Sequence, residues 1–71
     1  MYDYQRDLDE MVSVTTFTGQ KNVALGDVVP FMQAQDPDAF SQAVENQNCS
    51  SGQALVNYFQ SYCHGSFVPD L

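Results

Sequence analysis

The sequence predicts a small α+β fold, mainly helical, with a β-rich segment near residues 11–25 followed by two to three short helices. Three observations carry this. Residues 11–18, from Met11 to Thr18, are dense in β-branched side chains, which suit a pleated, half-buried surface. Asp36-Pro37-Asp38 is a strong helix start. Residues 51–64 hold the clearest helical periodicity in the chain. An all-α fold is the alternative.

Residues 3–11 are expected as a short helix or as an extended arm. In the helix, Tyr4, Leu8 and Met11 share one face at i, i+4 and i+7, and Arg6 pairs with Glu10. The strand over residues 11–18 is followed by a turn flanked by Gly19 and Asn22. Val23-Ala24-Leu25 then returns as a second strand. A two-strand hairpin is not stable alone, so it needs helices or another chain against one face.

Gly26 ends that pattern. Asp27 is the expected N-cap of a helix through Gln35, with Pro30 in its first turn, where a missing N–H is tolerated. Asp36 caps the next helix, Pro37 takes its first position, and Ala39, Phe40, Ala43 and Val44 form its apolar stripe to about Gln47. Ser50 and Gln53 fit a capping box for the last helix, which runs from about Ser51 to His64 with Gly65 as its stop. Its apolar positions are Ala54, Leu55, Tyr58, Phe59, Tyr62 and Cys63, and Val56 widens them. At about 100° per residue they cover half the helix circumference. One neighbour needs less than that.

The chain has 71 residues, nine Asp or Glu, two basic side chains (Arg6 and Lys21) and a net charge of −7. A chain of this length is expected to form one domain over 1–71, with flexible or partner-docked ends at 1–10 and 66–71. It buries only about 60% of its unfolded surface, so its stability is marginal. Two basic side chains cannot neutralise enough phosphates for nucleic-acid affinity, so no direct nucleic-acid binding is expected. No apolar run approaches the roughly 18 residues of a membrane span. Met1-Tyr2-Asp3-Tyr4 lacks the basic and apolar regions of a signal peptide. The expected location is therefore the cytoplasm, or the inside of a particle assembled there.

No motif names a reaction. Cys63 and His64 point about 100° apart on a helix, so the imidazole is badly placed to serve the thiol. Cys49, Cys63 and His64 lack the close pairing and the fourth ligand of a structural zinc site. A Cys49–Cys63 disulfide meets an obstacle in the helix expected between them, which spans roughly 21 Å against the ~7 Å a disulfide allows, so either the thiols are free or the residues between them are not helical. The thiols are expected to be free. Asp7, Asp9 and Glu10 have no pocket to shift their pKa values. No catalytic residue, metal or cofactor is expected.

What remains is interaction. The expected function is a non-enzymatic protein–protein interaction module: a small structural or accessory subunit of a larger assembly, such as a virion. The excess apolar width of the last helix and the apolar residues after Gly65 point to a partner interface at Tyr58, Tyr62, Phe67, Val68 and Leu71. Tyr2, Tyr4, Tyr58 and Tyr62 suit such surfaces because they give contact area with a polar end. The partner is another protein or a second copy. The alternative is an acidic inhibitor that mimics nucleic acid and occupies a basic groove on its target.

Overall fold

The computed structural model describes residues 1–63. A two-stranded antiparallel sheet, β1 (Met11–Thr16) and β2 (Gly19–Ala24), is followed by three helices, α1 (Leu25–Gln35), α2 (Pro37–Glu45) and α3 (Gly52–Tyr62). The small α+β fold is as the sequence predicts. The expected N-terminal helix shrinks to a single 3-10 turn, Tyr4–Asp7. Met11 belongs to β1, so the regular spacing expected to pair Arg6 with Glu10 is lost.

In the hairpin, Val12 faces Val23, Val14 faces Lys21 and Thr16 faces Gly19. Alternation puts Val12, Val14 and Thr16 on the buried side. The turn is tighter than the sequence suggests and consists of Phe17 and Thr18 alone. Gly19, at φ 107°, does not end a strand but opens β2; neither Phe17 nor Thr18 takes a positive φ, so the turn is completed by the left-handed conformation that glycine adopts freely. Lys21 and Asn22, expected in the turn, lie within β2. The hydroxyl of Thr16 fixes the turn by donating to the Gly19 carbonyl at 2.7 Å and accepting from the Thr18 N–H at 3.3 Å.

The two sheet edges differ. The side-chain amide of Gln53 accepts from the Ser13 N–H at 2.8 Å and donates to the Ser13 carbonyl at 3.3 Å. It closes the outer edge of β1 as a neighbouring strand would. Because Ser13 turns its main chain outward, its partner Asn22 does so too, and among the described residues no main-chain partner covers that side of β2. Lys21 lies on that edge strand, where a charge discourages stray strand pairing.

Helix α1 begins at Leu25 rather than after an Asp27 cap. Its first two N–H groups are satisfied by main-chain carbonyls, Leu25 by Glu10 at 2.8 Å and Gly26 by Leu8 at 2.9 Å. Pro30 therefore sits in the second turn and leaves the Gly26 carbonyl without its usual helical donor. The stripe of α1 buries Leu25, Val28, Val29 and Met32.

Helix α2 starts as expected: Asp36 Oδ1 accepts from the Ala39 N–H at 3.0 Å, with Pro37 next to it. It buries Ala39, Phe40, Ala43 and Val44. It stops at Glu45, short of Gln47, because Asn46 turns to extended backbone and its side chain accepts from the Asn48 N–H at 2.8 Å.

Helix α3 is capped by Ser51, not Ser50: Ser51 Oγ accepts from the Ala54 N–H at 3.2 Å. The acidic partner of the cap comes from far along the chain. Glu10 Oε2 accepts from the Gln53 N–H at 3.0 Å, which places a carboxylate at the positive end of α3. With the cap at Ser51, Gln53 stands at the second helical position rather than the third that a capping box needs, and its side chain reaches Ser13 instead. Leu55, Val56 and Phe59 are fully buried in a cluster shared with Val12, Val14, Leu25 and Met32. Cys63 has already left the helix, so α3 ends at Tyr62 rather than at His64. His64 and the expected stop at Gly65 lie outside the described residues.

Candidate protein-interaction surface

Along α3 the apolar width divides into two stripes. Leu55, Val56 and Phe59 are sealed inside, while Ala54, Tyr58 and Tyr62, at i, i+4 and i+8, are half-buried beside them. Tyr62 is oriented by its phenol, which accepts from Asn46 Nδ2 at 2.9 Å. Tyr58 and Tyr62, expected at an interface, thus share a helix face at the border of core and solvent. Phe67, Val68 and Leu71, the other residues of the expected interface, lie outside the described residues.

A second feature arises where the N-terminal segment crosses α2. The Tyr2 N–H donates to the Val44 carbonyl at 2.8 Å, and the Tyr2 phenol donates to Asp7 Oδ2 at 2.7 Å. These bonds set Tyr4 edge-on against Phe40, with ring centroids 5.3 Å apart at 77°. Beside this ring pair lies an open groove of about 270 Å³. Buried Phe40 and Val44 and half-buried Tyr4 supply its apolar part; exposed Gln33, Ser41 and Glu45 supply a polar rim. Burial, then the hydrogen bond to Asp7 and its charge, push the Tyr2 phenol above its ordinary range. Sequence reasoning grouped Tyr2 and Tyr4 with Tyr58 and Tyr62 as interface tyrosines. It did not foresee that Tyr2 ties the segment down while Tyr4 forms a groove wall.

The third feature is Phe17. It stands at the hairpin tip and is 80% exposed. The alternation that buries Val12, Val14 and Thr16 already places Phe17 on the opposite side, so this exposure was readable from the strand pattern.

The thiols of Cys49 and Cys63 are free. Cys49 is buried, burial pushes its thiol above the usual range, and its sulfur lies 4.0 Å from the Ser51 carbonyl. A thiol held protonated in the core is a packing group, not a nucleophile. Among the described residues no three His, Cys, Asp or Glu side chains converge as a metal site. Nor is any described helix long and apolar enough to cross a membrane. Every buried side-chain nitrogen and oxygen among the described residues has a hydrogen-bond partner.

Comparison with known proteins found no matching family model, no matching curated protein and no matching solved structure.

Proposed function

We propose that this chain is a non-enzymatic protein–protein interaction module, a small structural or accessory subunit of a larger assembly in the cytoplasm or in a particle formed there. The observation that carries the reading is the Ala54–Tyr58–Tyr62 stripe, a half-buried aromatic ridge beside a complete core. Aromatic anchors of this kind often dominate the energy of an interface. Phe67, Val68 and Leu71 follow in sequence and extend the same apolar character. The acidic-mimic reading is weaker, because Asp7, Glu10 and Asp36 are engaged in hydrogen bonds within the fold.

The test is light scattering of the purified protein and a pull-down from its native source, with Tyr58→Ser, Tyr62→Ala and a deletion of residues 66–71. Association is expected to weaken in all three while helical circular dichroism is retained. Native partners that stay bound to every variant would refute the reading.

A further inference from the structure

The nine carboxylates are unevenly placed. Asp3, Asp7, Asp9 and Glu10 precede the hairpin, and Asp27, Asp36, Asp38, Glu45 and Asp70 follow it. Residues 11–26 contain none, and Lys21 is their single charge. Residues 46–69 also lack carboxylates, but of the two stretches only the hairpin carries a basic side chain, Lys21, in a chain of net charge −7. Its tip carries Phe17, the most exposed aromatic ring among the described residues. The turn is held by the two bonds of the Thr16 hydroxyl, and the Thr16 and Thr18 hydroxyls lie 3.1 Å apart. A rigid turn presents an anchor at low entropic cost.

The groove walled by Tyr4 and Phe40 is the complementary feature. Its ~270 Å³ lies below the roughly 300–1,000 Å³ of small-molecule sites, so it suits one side chain better than an organic ligand. The aromatic pair suits a phenyl ring, since rings pack well edge to face. Glu45 on the rim has the sign opposite to Lys21.

We infer that the hairpin tip of one copy docks in the Tyr4–Phe40 groove of a second copy, with Phe17 as the anchor and Lys21 facing Glu45. Charge selects this head-to-tail arrangement. Pairing two grooves would oppose two Glu45 carboxylates and pairing two hairpins would oppose two Lys21 ammonium groups, whereas hairpin-to-groove pairing brings the unlike charges together. A head-to-tail contact leaves one free hairpin and one free groove, so it propagates into a ring or a filament. This goes beyond the proposed function in using surfaces apart from the α3 stripe, and its variants leave Tyr58 and Tyr62 untouched.

The experiment is sedimentation velocity over a concentration series. Wild type is expected to form oligomers that grow with concentration. Phe17→Ser, at an exposed tip, should weaken association on the order of tenfold or more, as loss of an aromatic anchor does. Ser41→Trp, at an exposed position on the groove, should do the same by filling it. Helical circular dichroism checks that both variants fold. The decisive sample is their equimolar mixture: one supplies an intact groove and the other an intact hairpin, so one-to-one dimers should form and grow no further. A wild type that remains monomeric would overturn the inference. So would a Phe17→Ser protein that associates like wild type, or a mixture of folded variants that stays monomeric.

Discussion

Gly52→Ala tests how α3 is seated. A Cβ at Gly52 would lie 2.9 Å from Glu10 Oε2, 3.0 Å from Leu25 Cδ2 and 3.2 Å from Val12 Cγ1. Elsewhere in a helix the change would stabilise by up to about 1 kcal/mol, and less in the first turn. Here the glycine is required for close approach. Leu25 and Val12 are sealed in the core and cannot retreat without moving their neighbours. Overpacking of this kind costs about 1–3 kcal/mol. Glu10 can swing away, but only by giving up the Gln53 N–H, and a hydrogen bond to a charged group is worth about 1.5–3 kcal/mol. The expected net is a loss of about 1–3 kcal/mol, or a fall in Tm of roughly 5–20 °C for a domain of this size. Thermal and urea unfolding followed by circular dichroism measure it. A double-mutant cycle with Glu10→Ala separates the two causes: the Leu25 and Val12 contacts remain in the Glu10→Ala background, so Gly52→Ala should still destabilise there. A Gly52→Ala protein as stable as wild type would refute the reasoning.

Three further outcomes are expected. Gln53→Ala should cost about 1–2 kcal/mol by uncovering the Ser13 main chain, and the Ser13 amide should exchange its hydrogen faster by NMR; unchanged protection would show that the edge is closed some other way. Phe59→Ala should cost about 3–5 kcal/mol, enough to unfold most of a marginal domain, while Gln60→Ala on the exposed side should change Tm little; equal melting temperatures would mean the buried face of α3 is wrongly assigned. Stability should hold up to about pH 9 and fall above it, because Cys49 and Tyr2 keep their protons to higher pH in the folded chain than in the unfolded one. Their contribution is complete below the unfolded pKa values and is lost as pH rises through the folded ones, so Tyr2→Phe should flatten the alkaline part of a melting-temperature profile.

The features legible in the sequence are those that neighbouring residues decide. The core stripes of α2 and α3 and the Asp36 cap follow from spacing within one or two turns, and they stand where expected. The free thiols follow from the same helix length. The errors arise where a distant group intervenes. Gln53 looks like the partner of a serine cap, yet the cap falls one residue later at Ser51, distant Glu10 takes the Gln53 N–H, and the Gln53 side chain pairs with Ser13, 40 residues away. Asp27 looks like a cap, yet carbonyls of Leu8 and Glu10 start α1 three residues earlier. Of the candidate interface, periodicity gave the Tyr58–Tyr62 ridge. The groove arises from pairing between Tyr2 and Val44, which no local pattern encodes.

The bond between Glu10 and Gln53, and the pair between Gln53 and Ser13, join parts of the chain about 40 residues apart. Each can form only after the intervening helices have been brought round, so their entropic cost falls late and together. A segment cut out of this chain, whether the hairpin or α3, would lose the groups that finish its ends. The same dependence places folding on the slower side for so short a helical chain, because non-local closures delay the reward for local structure. Folding and the tyrosine ridge therefore draw on one junction: the acidic turn that starts α1 also seats the helix bearing the ridge, so damage at Glu10 reaches a surface it does not touch.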